Sequence, residues 1–163
     1  MIVREATTED LEQIFDMYLE FDRSMKNLMP EEFQVYRTHR EDFNNITKQH
    51  MIKKFNDDNM IFYVAEDNNN DNNNIAGYIL GTAIPSEDPI YDRPMTGVIK
   101  NVYIKPDYRG KGVSSKLRDT IYDWFKEKDC KFVELAVLST NPAHEIYKKW
   151  GFTDIRQSMV KKI

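Results

Sequence analysis

Cysteine is nearly absent: Cys130 is the only one in the chain, so no intrachain disulfide can form. It sits between two element-forming stretches with no activating partner nearby in sequence and reads as a small, partly buried residue and not as a nucleophile. The three histidines, His39, His50 and His144, match no metal-ligand spacing with one another or with Cys130, so no metal is expected. No apolar run approaches the ~18 residues that span a bilayer. The start, Met1-Ile2-Val3-Arg4-Glu5, carries charge where a secretory signal needs an apolar stretch, so a cytoplasmic location away from membranes is expected. A basic excess is missing too: 23 Lys and Arg stand against 27 Asp and Glu, a formal net charge of -4, which argues against a general nucleic-acid binder. No internal repeat or change of composition divides the chain.

What is present fits a soluble globular chain, with 40% hydrophobic and 31% charged residues over 163 positions, and a single domain, 1–163, is expected. Ile2 to Ala6 reads as a first strand. Thr7 followed by Asp10 is a capping-box-like start for a helix with Leu11, Ile14, Phe15, Tyr18 and Leu19 on one face. Pro30 precedes a second helical stretch, in which Phe33, Tyr36, Phe43, Ile46, Ile52 and Phe55 recur with looser spacing. Ile61 to Ala65 and Ile75 to Ile84 are the next strands, joined by the Asn/Asp-rich segment 67–74, which reads as a hairpin loop. Pro85 to Pro94 is a second loop, with Glu87, Asp88 and Asp92. Phe132 to Leu138 is a buried strand, parallel to the one before it because a helix joins them. Pro142 opens a short helix ending at Gly151, and Phe152 to Ile155 with Ser158 to Ile163 reads as a terminal strand pair.

The stretch Val98 to Ser115 organises the chain. Val98, Ile99, Val102, Tyr103 and Ile104 suit a pleated buried surface, and Pro106 ends the strand because it has no N–H to donate. Arg109, Gly110, Lys111 and Gly112 then precede apolar residues at helical spacing: Val113, Leu117, Ile121, Trp124 and Phe125. Glycines at a helix start leave unpaired N–H groups at the positive end of the dipole, flanked here by two cations, and this suits a phosphate. Neither G-x-G-x-x-G nor G-x-x-x-x-G-K-[ST] is present.

Arg109-x-x-Gly112-x-Ser114 resembles the R/Q-x-x-G-x-G/A signature of the GNAT superfamily of N-acetyltransferases, with Ser114 where Gly or Ala is usual. Ala143 to Phe152 looks like the A-x-x-x-Y-x-x-x-G-F segment of the same family. The resemblance implies an α/β (α+β) fold: a mixed, mostly antiparallel sheet with two splayed central parallel strands and helices on both faces. It implies acetyl-CoA as co-substrate, its pyrophosphate on the loop Arg109, Gly110, Lys111, Gly112, Val113, Ser114 and Ser115, and its pantetheine arm bonded to the backbone of Val102, Tyr103 and Ile104. Lys105 is a further cation near that site.

By the same resemblance Tyr147 is the acid that protonates the leaving CoA thiolate, though Ala143, Ile146, Tyr147 and Trp150 also form a helix face that a core would bury. Asn141 is a further cofactor-binding candidate or the cap of the helix at Pro142. Relatives such as polyamine acetyltransferases carry an acidic pair where this chain has Lys100 and Asn101, so no base is available there; Glu32 and Asp92 stand only as candidates acting through water. The partner implied is an amine acceptor of small-molecule or peptide type, and a homodimer is left open. The leading expectation is direct acetyl transfer in a ternary complex; the alternative is a non-catalytic acyl-CoA-binding sensor on the same fold. A phosphate binder using only the glycine loop leaves the second motif unexplained.

Overall fold

Asn74–Ile84 is buried on both faces from Ile75 to Ala83, which suits only an inner strand, and the rest of the sheet is built around it. The computed structural model describes residues 1–68, 74–85 and 88–163. The elements are β1 (Ile2–Glu5), α1 (Leu11–Leu28), α2 (Phe43–Phe55), β2 (Met60–Asp67), β3 (Asn74–Ile84), β4 (Thr96–Ile104), α3 (Val113–Glu127), β5 (Phe132–Leu135) and α4 (Ala143–Lys149). Short 3-10 segments lie at Thr8–Asp10, Glu31–Arg37 and Pro106–Tyr108. The sheet runs β1-β2-β3-β4-β5, antiparallel throughout except for the parallel pair β4–β5.

Side-chain alternation along β2, β3 and β4 divides the core in two. On one face Phe62, Val64, Tyr78, Leu80 and Tyr103 pack against Ile14, Phe15 and Met17 of α1 and Met51 of α2. On the other, Ile61, Ala76, Ile79, Ala83 and Ile99 pack against Val113, Leu117, Ile121, Trp124 and Phe125 of α3. Each fully buried aliphatic or aromatic side chain contributes about 1.5–3 kcal/mol, so α3 is held by its apolar stripe and its glycine-rich start is free to stand clear of the core.

The feature that matters most lies in β4. Its register with β3 slips between Leu80↔Asn101 and Gly81↔Ile99, leaving Lys100 as the extra residue of a bulge. Pairing with β5 stops at the same level, at Ile99↔Leu135. Residues 100–104 of β4 therefore have no strand partner on the β5 side among the described residues, and the two parallel strands diverge there.

Several boundaries differ from expectation. The second helical stretch is broken into Glu31–Arg37 and α2, since its loose periodicity offers no continuous stripe to bury. β5 ends at Leu135 and not at Leu138, where β4 turns away. Asp67 and Asn74, read as loop, pair with each other as the last rung of the β2–β3 hairpin. The core of that loop, 69–73, and Glu87 lie outside the described residues. No strand forms after α4: residues 153–163 are irregular and Ile155, Met159, Val160 and Ile163 are exposed. Apolar residues in that tail meet no neighbouring strand or helix that buries them, and alternation without a partner does not make a strand.

Candidate active site

β4 leads through Pro106–Tyr108 into the glycine loop. Gly110 and Gly112 adopt φ of 73° and 76°, the left-handed region that side chains other than Gly rarely enter, and Gly112 caps α3. A Cβ at either position would meet nothing within 4 Å, so the space over the loop is open on the side the glycines face. The helix ladder begins with the Lys116 N–H donating to the Gly112 carbonyl (3.2 Å), and Gly112 brings no side-chain cap. The amides of Val113, Ser114 and Ser115 precede that first bond and point to the open end of α3. Val113 is buried and anchors the turn, while Ser114 and Ser115 are half-buried at its rim. This is the geometry a diphosphate requires, and the residues present fit it.

The cations near the loop are tethered. Arg109 Nε donates to the Ile104 carbonyl (3.0 Å) and its guanidinium lies 5.7 Å from the Tyr103 ring centre. Lys111 sits 5.5 Å over the Tyr108 ring, and Lys105 Nζ donates to Asn74 Oδ1 (3.0 Å). Arg109 thus fixes the end of β4 and occupies one of the backbone groups expected to face the pantetheine arm. Val102 and Ile104 turn their side chains to the α3 face, and Tyr103 turns to the α1 face. There the Tyr103 hydroxyl donates to Glu20 Oε2 at 2.5 Å; burial first, and then that carboxylate, push its pKa up to about 12.

Tyr147 lies on α4 with its ring edge-on to Trp150 (5.4 Å) and Phe152 (6.2 Å). Phe152 joins the α3-side core that also holds Val102, Ile104 and Leu135, and Trp150 lies under the Arg118 guanidinium of α3 at 5.2 Å. The Arg118 contact places α4 beside the first half of α3. Burial raises the Tyr147 pKa, which keeps the phenol protonated and able to donate. Asn141 behaves as a cap: its Oδ1 accepts from the Ala143 N–H (2.9 Å) and its Nδ2 lies 3.8 Å from Met25 Sδ.

Two cavities lie on the opposite, α1–α2 side. One of about 290 Å³ is lined by Tyr18, His50, Lys54, Tyr78 and Asn101 among others. Its Lys54 ammonium is lowered in pKa by burial and then by the charge of Lys100. The Tyr78 hydroxyl is buried and has no hydrogen-bond partner among the described residues. The other cavity, about 570 Å³, is lined by Asp22, Arg37, His39, Arg40, Leu138 and Val160 among others. Phe43 and Ile46 of α2 line both. Glu32 and Asp92 are exposed and line neither cavity. The cluster of Asp22, Arg37 and His39 escapes a reading by motif. The available signal is Asp22 itself, an acid standing one helical turn after Tyr18 on the apolar stripe of α1, which demands a partner.

Cys130 is half-buried, and burial followed by the charge of Asp129 pushes its thiol pKa up, away from an activated nucleophile. Among the described residues no group of three or more His, Cys, Asp or Glu could hold a metal, and no helix is long and apolar enough to cross a membrane.

Known proteins share this architecture. A tetramutant protein from Bacillus halodurans superposes over 100% of both chains with a TM-score of 0.84 at 18% identity. A predicted acetyltransferase with acetyl-CoA from Clostridium acetobutylicum gives a TM-score of 0.74 at 20% identity, over 99% of this chain and 95% of that one. At those identities the likeness concerns the fold. In sequence, a thialysine N-ε-acetyltransferase of Bos taurus is 34% identical over 61 residues, 37% of this chain; the match spans 36% of that relative. The model of the acetyltransferase (GNAT) family matches residues 15–152, which include the bulged and splayed strand, the glycine loop and Tyr147, and the chain belongs to that family.

Proposed function

We propose that this protein is an N-acetyltransferase that moves an acetyl group from acetyl-CoA directly to a primary amine in a ternary complex. The observation that carries the reading is a coincidence in space: a left-handed glycine opens α3 just after a strand whose outer edge, residues 100–104, has no strand neighbour among the described residues. A diphosphate on the amides of Val113, Ser114 and Ser115 leaves an attached extended arm running back along that edge, where backbone groups of Val102 and Tyr103 can bond it as a strand would. The thioester then lies near the bulge at Lys100.

Tyr147 is the acid. Its hydroxyl donates a proton to the sulfur as the C–S bond breaks and regains one from the nitrogen that has become an amide. Burial favours its neutral form, as a donor requires. Direct transfer is supported by the lone cysteine, whose thiol is not activated. The acceptor is an amine of modest charge, with an amino-acid or peptide amine favoured: the acidic pair is replaced by Lys100 and Asn101, and the cavities beside α2 are walled by Arg37, Arg40, His50 and Lys54. The bovine relative acts on the ε-nitrogen of thialysine, an acceptor of that kind.

The test is thiol release from acetyl-CoA over a panel of amines, beside a calorimetric titration with CoA. Transfer to at least one amine together with CoA binding is expected. CoA binding with no thiol release from any amine would make the protein an acyl-CoA sensor.

A further inference from the structure

The transfer reading leaves the acceptor nitrogen without a base, because an amine enters largely as an ammonium and must lose a proton before it can attack. The larger cavity supplies a group for this task. It shares Phe43 and Ile46 with the smaller cavity; the smaller touches β4 through Asn101, and the larger touches the chain beyond β5 through Leu138. An acceptor seated there faces the splay from the side opposite α3.

In its wall His39 Nε2 lies 2.6 Å from Asp22 Oδ2, and Asp22 Oδ1 accepts from Arg37 Nη1 at 2.7 Å. The Asp22 carboxylate is largely buried, with its side chain 10% exposed, and a carboxylate bound to a guanidinium only accepts hydrogen bonds. Nε2 therefore carries the imidazole proton, and the basic lone pair is on Nδ1, which has no protein partner among the described residues. The ring is stacked on Phe43 at 3.6 Å between centroids and 4° between planes, which fixes its orientation, while 44% of the side chain is exposed. The charged and titratable groups facing it are Asp22 from α1 and Tyr36, Arg37 and Arg40 from the segment between the helices. Among the described residues, α2 adds Phe43 and Ile46, and the chain beyond β5 and the tail add Leu138 and Val160.

We propose that His39, oriented by Asp22 and the Phe43 ring, is the general base that deprotonates the acceptor amine. This rests on the transferase reading. R–NH3⁺ gives a proton to His39 Nδ1, and the freed lone pair attacks the thioester carbonyl carbon. The C–N bond forms and the C–S bond breaks with its electron pair on sulfur. The second proton lost by nitrogen ends on that sulfur through Tyr147, and His39 releases its own proton to solvent. One proton is set free per turnover, and Asp22 compensates the charge that His39 acquires.

The test compares wild type with His39→Gln and His39→Ala, measuring kcat/KM against pH for the best amine of the panel, with CoA affinity by calorimetry. Both variants should bind CoA as wild type does and lose about 10²-fold in kcat/KM at neutral pH. That loss should shrink as the pH approaches the pKa of the amine, where solvent supplies free base. Added imidazole should restore part of the activity of His39→Ala. Transfer by wild type with unchanged pH profiles in both variants would overturn the assignment and leave the transferase reading intact. Lost CoA affinity in both variants would overturn it by making His39 a structural prop. No transfer by wild type to any amine would overturn the transferase reading and the base assignment with it.

Discussion

A single hydroxyl and a single missing side chain carry much of the proposed chemistry. Tyr147→Phe keeps the ring contacts with Trp150 and Phe152 and removes only the donor, so CoA affinity should stay near wild type while kcat falls by about 10²-fold. Stopped-assay turnover with calorimetry checks this, and equal kcat in the two proteins would return Tyr147 to the core. At Gly112 the left-handed backbone tolerates Asp better than most residues, at about 1–2 kcal/mol, and the added Cβ enters open space. Gly112→Asp should therefore fold, with a modestly lowered Tm, yet lose more than about tenfold in CoA affinity, because its carboxylate stands where a phosphate belongs. Wild-type affinity in the folded variant would remove the loop from the site. Both features are legible in the sequence because they are local: a turn that takes positive φ, and a tyrosine at a fixed distance from the glycine that ends its helix. His39 and Asp22 are not legible in that way. Their pairing bridges 17 positions and depends on how the chain between α1 and α2 folds back, which no periodicity records.

Among the elements, those whose apolar pattern meets a partner surface were readable, including β3, α3 and the capped start of α1. Thr7 and Asp10 form the expected capping box, at the 3-10 turn that leads into α1, and Asp10 does more than cap. It is buried, accepts from the Thr7 N–H at 2.7 Å, and receives two bonds from Arg4, at 2.7 and 2.9 Å, which tie β1 to the start of α1. Burial alone pushes this carboxyl up, but the Arg4 and Thr7 hydrogen bonds and the Arg4 charge outweigh it and hold the pKa below the ordinary value. With the folded value below the unfolded one, the stabilisation is complete above about pH 4 and disappears as the pH falls through that value toward the folded pKa. Asp10→Asn should cost about 1.5–3 kcal/mol at pH 7 and progressively less below pH ~4. Thermal melts of the two proteins across that range check it, and a pH-independent gap would mean that the carboxylate charge is not what β1 and α1 share. The terminal strand pair that the sequence suggests does not form, because strand formation depends on an available edge and a covering face, neither of which the local pattern of residues 152–163 encodes.

For the whole molecule, net charge and local charge pull in opposite directions. The chain as a whole carries -4, which by itself draws cations. Its acidic loop is partly engaged: Asp88 accepts from the N–H groups of Ile90 and Tyr91 and pairs with Arg93, while Asp92 is exposed. Exposed charges of this kind are screened beyond about 10 Å at ~0.1 M salt. Within the cavities the balance reverses, since Arg37 is matched by Asp22 and the charges of Arg40 and Lys54 remain. A polycation entering there meets like charge in a partly desolvated space, whereas an amine that also bears a carboxylate can offer that group to the arginines. Amino-acid or peptide amines should therefore exceed spermidine in kcat/KM by about tenfold or more, the equivalent of ~1.4 kcal/mol, and raised salt should narrow the gap. Steady-state comparison at two ionic strengths decides it. If spermidine surpassed every monoamine and peptide tried, the electrostatic argument from Lys100, Asn101 and the cavity walls would fail, and the acceptor would have to sit on the acidic loop side, at Asp88 and Asp92.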